Sequence, residues 1–322
     1  MEYVQFGKTG MRVSALCLGC MNFGGPTDEE TSIRIIHAAL DAGINFIDTA
    51  NVYANGRSEE AVGVALADGR RARVVLATKV HFPVGVGPNQ RGNSRRHIME
   101  QVDASLRRLR TDWLDLYQIH RPDPGTSIDE TLRALDDLVR AGKVRYLGSS
   151  TFPAWQLCEA QWVANVRRLD RFASEQPPYS IFRRGVERDV LPFCSRHGIA
   201  VMPWSPLEAG WLSGKYRRGE MIPEGSRLFR RQRRGEFDPH SPQAQHRYGL
   251  IEQLLPIAEE RGCSLSQFAL AWCRANPAVT APIIGPRTEE HLMDNLGALA
   301  VSITDEDRKA VDEIVPPGVT IP

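Results

Sequence analysis

Residues 44–80 read INFIDTANVYANGRSEEAVGVALADGRRARVVLATKV. Two short β-rich runs, INFIDTA (44–50) and VVLATKV (74–80), enclose a segment in which Ala61, Val62, Ala65 and Leu66 fall at helical spacing. This is one strand–helix–strand unit. Its strands are apolar on both faces, as strands of a parallel sheet covered by helices must be. Asp48 ends the first apolar run, Lys79 comes near the end of the second, and Tyr53 lies in the turn-rich stretch between them.

The same alternation extends in both directions. Further β-rich runs occur at 12–19, 114–120, 144–150, 171–176, 199–205 and 280–285, which makes eight. Helical apolar spacing appears at Ile33, Ile36, Ala39 and Leu40, at Ile98, Val102, Leu106 and Leu109, and at Leu132, Leu135, Leu138 and Val139. Ser127 with Glu130, and Ser264 with Gln267, fit the reciprocal capping box at helix starts. Gly43, Gly69, Gly142 and Gly198 occupy positions expected of helix C-terminal glycines. Eight strand–helix repeats predict closure into a (β/α)8 barrel rather than an open doubly wound sheet. No linker or low-complexity tract interrupts the pattern, so residues 1–322 are expected to form a single domain. The segment EYVQFGKTGMRVS is expected to fold as a hairpin ahead of the barrel. Two irregular stretches, 81–94 and 208–242, fall on the strand-to-helix side, where barrel active sites form. For the arginine run RLFRRQRRGEF in the second, a solvated basic face and a place beside a phosphate-bearing cofactor are both open.

Bulk properties narrow the function classes. A formal net charge of +1 gives no electrostatic case for nucleic acid or an anionic membrane. The N-terminus has no signal-like apolar core, and no apolar stretch nears the ~18 residues of a membrane span, so a cytoplasmic location is expected. Six cysteines are too sparse for a disulfide scaffold. Cys17 and Cys20 form a C-x-x-C without a second ligand pair, and buried or strand-end thiols are expected there.

The barrel gives the polar strand ends a meaning. Asp48, Lys79 and His120 end the second, third and fourth strands, and neighbouring strands lie about 4.8 Å apart. Alternation puts Ile44, Phe46 and Asp48 on one face, and Val75, Ala77 and Lys79 on one face. A carboxylate, an ammonium and an imidazole therefore converge at the C-terminal mouth, with Tyr53 above them. An ammonium favours the phenolate, and a carboxylate holds the ammonium in place. A tyrosine acid tuned in this way, with an imidazole to orient a carbonyl, suits the protonation of an alkoxide formed by hydride addition.

The stretch DTANVYANGRSEE (48–60), with LATKV around Lys79 and LYQIHRPD around His120, resembles the aldo-keto reductases. The likeness continues through LGCMNFG, DAGINFIDTA, TDWLDLYQIH, AGKVRYLGSS, SPLEAGWLSGKY and IIGPRTEEHLMDN, and so covers nearly the whole chain. The resemblance implies a (β/α)8 barrel, NADPH (NADP+) as cofactor, and reversible carbonyl–alcohol conversion without a metal. Tyr53 would be the general acid, Lys79 would lower its pKa, Asp48 would pair with Lys79, and His120 would orient the carbonyl.

The resemblance also implies a cofactor site. Gly19, Cys20 and Met21 would line the floor near the nicotinamide, and Ser150 and Gln176 would hold its carboxamide. Thr151 stands where the family usually has Asn, and Trp204 replaces the usual stacking Tyr. Ser205, Pro206, Leu207, Gly210, Leu212 and Lys215 would embrace the pyrophosphate. After Gly285, Arg287 would meet the 2′-phosphate and Asp294 and Asn295 would face the adenine end, with His291, also a cofactor position, standing where the family commonly has Gln or Arg. His81, Phe82, Trp113 and Trp211 are candidate apolar walls of the substrate pocket, with barrel packing an equal role for Trp113.

Two other enzyme classes fit poorly. No tyrosine has Lys four residues later, as a short-chain dehydrogenase would, and G-x-G-x-x-G is absent after the first strand. A Schiff-base aldolase at Lys79 leaves Tyr53, His120 and Arg287 without a role. A non-enzymatic alternative comes with the resemblance, because some proteins of that family are cofactor-binding regulatory subunits of membrane channels.

Overall fold

The computed structural model describes all residues, 1–322. A hairpin of β1 (Tyr3–Gln5) and β2 (Arg12–Ser14) precedes eight parallel strands. These are β3 (Cys17–Gly19), β4 (Phe46–Asp48), β5 (Val75–Val80), β6 (Leu114–Ile119), β7 (Val144–Ser150), β8 (Phe172–Gln176), β9 (Ala200–Val201) and β10 (Ile283–Ile284). They pair in sequence from β3 to β9, and β10 pairs with β3. The ring closes because the Thr280 and Ala281 N–H groups donate to the Val201 carbonyl (2.8 and 3.3 Å) and Ile283 N–H donates to the Pro203 carbonyl at 2.9 Å.

Helices α1 (Glu29–Asp41), α2 (Arg57–Ala65), α3 (Arg95–Leu109), α4 (Ile128–Arg140), α5 (Ala154–Arg167) and α6 (Val190–His197) each follow one barrel strand. Between β9 and β10 come α7 (Arg227–Arg233), α8 (Pro242–Glu260) and α9 (Leu265–Arg274), and α10 (Glu289–Gly297) and α11 (Asp305–Ile314) end the chain.

Several local expectations shift. The 12–19 run divides between the hairpin and the barrel. The runs at 199–205 and 280–285 shrink to two residues each, because Pro203 and Pro282 have no N–H to continue a ladder. Ile44 lies before β4 and packs into the outer core, not on the face of Phe46 and Asp48. Ser264 and Gln267 make the full capping box. Ser127 accepts from Glu130 N–H, but the Glu130 carboxylate instead reaches the Arg95 N–H at 2.9 Å. Gly43, Gly142 and Gly198 follow α1, α4 and α6 with positive φ, whereas α2 already ends at Ala65 and Gly69 opens a separate 3-10 turn. The stretch from 208 to 242 is not merely a loop, since it holds a 3-10 segment and α7.

Two apolar layers hold the barrel. Outward strand residues such as Leu76 and Ile119 pack against the helices. Inward residues Cys17, Phe46, Ala77, Leu116, Ala200, Met202 and Ala281 meet Phe6 and Val13 of the hairpin. The Phe6 and Phe46 rings meet edge to face at 5.6 Å, so the hairpin plugs the N-terminal end of the barrel. All six cysteines are free thiols. Cys17, Cys20, Cys194 and Cys273 are buried, Cys263 is half-buried, and Cys158 on α5 is exposed.

Candidate active site

Above the apolar plug, the inward positions turn polar. Asp48 ends β4, Lys79 follows Ala77 on β5, and Gln118 and His120 continue the inward parity of Leu116 on β6. The chain leaving β4 turns sharply. Ala54 and Asn55 take left-handed φ values of 49° and 56°, Gly56 takes 91°, and α2 starts at once. That turn places Tyr53 over the mouth and fixes its approach to Lys79.

Lys79 is fully buried, and its ammonium is satisfied three ways. It donates to Asp48 Oδ2 at 2.5 Å, to the Thr49 carbonyl at 2.8 Å and to Tyr53 Oη at 3.2 Å. Burial alone would discharge this amine, but Asp48 and Tyr53 outweigh it and its pKa is raised. The Tyr53 pKa is also raised. Burial disfavours the phenolate more than the Lys79 ammonium favours it, so the expected net lowering is not found. His120 lies edge to face with Tyr53 at 5.7 Å. Burial, reinforced by Lys79, Arg121 and His81, lowers its pKa to about 2, so the imidazole is neutral. Its Nδ1 is buried without a partner.

Asp48 is held from its other side as well. Gln118 and Gln176 donate to its Oδ1 at 2.9 and 3.0 Å. Gln118 escaped the sequence reading, although its parity with His120, two residues on, marks it as inward. Gln176, expected to face a carboxamide, here turns its amide N–H toward Asp48 and Gln118.

A cavity of about 740 Å³ opens above these groups. Tyr53, Asp48 and His120 line it, while Lys79 lies beneath. Gly19, Cys20, Met21, Ser150, Gln176 and Trp204 line the same end. Along the rest of the wall come Ser205, Pro206, Leu207, Gly210, Lys215, Gly285, Arg287, His291, Asp294 and Asn295. Leu212 and Thr151 do not line the cavity. Leu212 is fully buried in the outer core, and the Thr151 hydroxyl is taken by Arg121 at 2.6 Å. Of the suggested substrate walls, only Phe82 lines the cavity. His81 is bonded to Asn93, Trp211 packs among Tyr216, Phe237 and Tyr248, and Trp113 stands just before β6, sandwiched by Arg71 and Arg145 at the other end of the barrel.

The far arm of the cavity is cationic. Lys215, Arg227, Arg230 and Arg287 all line it, and none pairs with a carboxylate. Burial lowers the Lys215 pKa, with repulsion from Arg287, Arg227 and Arg230 adding to it. The Arg287 and Arg230 guanidinium groups both donate to the Gly225 carbonyl (2.8 and 2.9 Å), tying the segment ahead of α7 to the wall ahead of α10. Arg227 and Arg230 are additions from the arginine run. At Gly210 the φ of 95° is one that other residues rarely adopt, and a Cβ there would also come within 3.2 Å of the Lys215 side chain.

Residues 15–316 match the profile of the aldo/keto reductase family. The chain belongs to the aldo/keto reductase family. It is 43% identical to the uncharacterized oxidoreductase YrpG of Bacillus subtilis over 100% of this chain and 98% of that protein. A probable voltage-gated potassium channel subunit beta of Oryza sativa is 41% identical over 94% and 92% of the two chains. Versiconal hemiacetal acetate reductase of Aspergillus parasiticus is 34% identical over 97% and 96%. The aldo/keto reductase barrel agrees with the eight-stranded ring. No helix of the chain is long and apolar enough to cross a membrane.

Proposed function

We infer that the protein reduces an aldehyde or ketone to an alcohol in the cytoplasm, with NADPH as cofactor. The observation that carries this is the buried chain Asp48–Lys79–Tyr53, which ends in a phenol at the cavity floor beside a neutral imidazole. The cavity fits a dinucleotide phosphate. Lys215, Arg227, Arg230 and Arg287 are repelling cations that an anion would reconcile, and the indole of Trp204 and the amide of Gln176 stand at the opposite end. When bound, the reduced nicotinamide supplies the hydride.

The chain's own groups do the rest. His120, neutral, hydrogen-bonds the carbonyl oxygen and orients it. Tyr53 Oη gives its proton to the alkoxide oxygen. The Lys79 ammonium, 3.2 Å away and shielded from water, stabilises the phenolate that remains. Asp48, gripped by Gln118 and Gln176, keeps the ammonium aimed.

The test is a panel of aldehydes and ketones scored by loss of NADPH absorbance and repeated with NADH. Tyr53→Phe is expected to lower turnover by roughly 10²- to 10⁴-fold while NADPH binding, read by titration calorimetry, survives. Turnover at the wild-type rate in that variant would sink the mechanism. A second reading, a regulatory subunit of a membrane channel, is favoured by the rice relative's name. Co-purification with a detergent-solubilised channel, absent any turnover on the panel, would select it.

A further inference from the structure

Arg121 follows His120 directly and lines the catalytic end of the cavity. All the hydrogen bonds of its guanidinium leave from Nη1, and all go to uncharged oxygens: the His120 carbonyl (2.9 Å), Thr151 Oγ1 (2.6 Å) and Ser150 Oγ (3.4 Å). Its Nε and Nη2 donate to no group of the protein. The guanidinium lies 5.7 Å from the ring centre of Phe82 and 5.7 Å from that of Trp204, so two aromatic faces hold it without consuming its donors.

The other charges at this end are accounted for. Lys79 is paired with Asp48 at 2.5 Å, and Arg183, also over Trp204, is paired with Glu208 at 2.7 Å. His120 is neutral at ordinary pH. Glu175, the one carboxyl whose charge acts on Arg121, is fully buried. Burial lifts its pKa to about 8, against hydrogen bonds from Ser149 Oγ and the Phe152 and Thr151 N–H groups. Arg121 is thus a half-buried cation with two idle donor nitrogens, facing a pocket floored by the catalytic tyrosine and imidazole. A partly desolvated charge without a counterion is costly, and a planar guanidinium edge matches a carboxylate better than any neutral acceptor. The four cations of the far arm form a separate cluster.

We propose that Arg121 is the specificity residue of this pocket and that the preferred substrate is a carbonyl compound bearing a carboxylate. Arg121 takes the carboxylate through Nε and Nη2, and the carbonyl is left to Tyr53 and His120. This rests on the reductase reading above, so its test has one arm that needs no turnover.

In the first arm, kcat/KM is measured for 4-oxobutanoate and 4-carboxybenzaldehyde against their methyl esters. The wild type is expected to prefer at least one acid to its ester by roughly 10- to 100-fold, the range for a hydrogen-bonded charge pair. Arg121→Met should bring that ratio to about one, chiefly through KM, and Arg121→Lys should keep part of it. No preference in the wild type, or an equal fall for acid and ester in Arg121→Met, would overturn the proposal and leave Arg121 a clamp on Thr151. In the second arm, calorimetric titration compares benzoate with benzamide in wild type and in Arg121→Lys and Arg121→Met. If no carbonyl is turned over at all, the reductase reading fails, yet benzoate binding that depends on Arg121 upholds the carboxylate site. Benzoate binding indifferent to these variants removes it.

Discussion

His120 is only 6% exposed, and every charge near it is positive or neutralised. Its folded-state pKa of about 2 lies below the ordinary value of 6.5. Above pH 6.5 both folded and unfolded forms are neutral at this site. Below 6.5 the unfolded chain takes up a proton that the folded chain refuses, so stability falls as pH falls, by up to about 1.4 kcal/mol per pH unit. Urea denaturation at pH 7.5 and pH 5 should show this loss, and His120→Asn should reduce it. A pH dependence unchanged in the variant would refute the assignment.

Asp48, Lys79 and His120 were legible in the sequence because strand ends and side-chain parity follow from a period of two. The present partners of Gln176 were not, because a long amide chooses among acceptors contributed by several strands. Thr151 is a further case. It is β-branched yet sits at φ 62°, a region such residues avoid, and only the fold reveals that Arg121 and the Gln176 carbonyl hold it there.

Among the elements, α2 shows how the turn that carries Tyr53 is anchored. Ser58 donates to the Cys20 carbonyl at 2.7 Å, which ties the helix start to the end of β3. Glu59, fully buried, accepts from Thr78 Oγ1 on β5 and from Arg108 Nε on α3, both at 2.6 Å. In the sequence these residues belong to a polar stretch, NGRSEE, that reads only as a turn into a helix. The burial of its first glutamate depends on Arg108, 49 residues on, and local pattern carries no such information. Glu59→Gln removes one partner of a largely buried ion pair and is expected to cost roughly 3 kcal/mol. Chemical denaturation would measure it, and a cost below about 1 kcal/mol would place the pair among ordinary surface contacts.

For the whole molecule, the decisive feature is closure. The count of eight strand–helix repeats was enough to anticipate a ring, but not where its regular ladder is interrupted. Its seam lies along β9 and β10, the two strands shortened by proline. A side chain at Gly19 would put its Cβ 2.5 Å from Ile283 Cγ2 and 3.0 Å from the Ile284 carbonyl, so glycine at the end of β3 is what lets β10 close. Gly19→Val is expected to destabilise the barrel by about 1–3 kcal/mol through overpacking. A melting temperature equal to that of the wild type would mean that the seam yields freely.

The placement of the cysteines turns this seam into something observable. Cys17 faces the barrel interior on β3, pairs with Ile283 of β10 beside the seam, and its thiol is fully buried. Cys158 stands in solvent on the far side of a helix. A thiol-reactive reagent therefore meets an internal clock. Cys158 reacts at the rate of an open surface site, whereas Cys17 reacts only in the fraction of time that the ring breathes. The ratio of the two labelling rates reads barrel opening directly, in the unaltered chain and without denaturant.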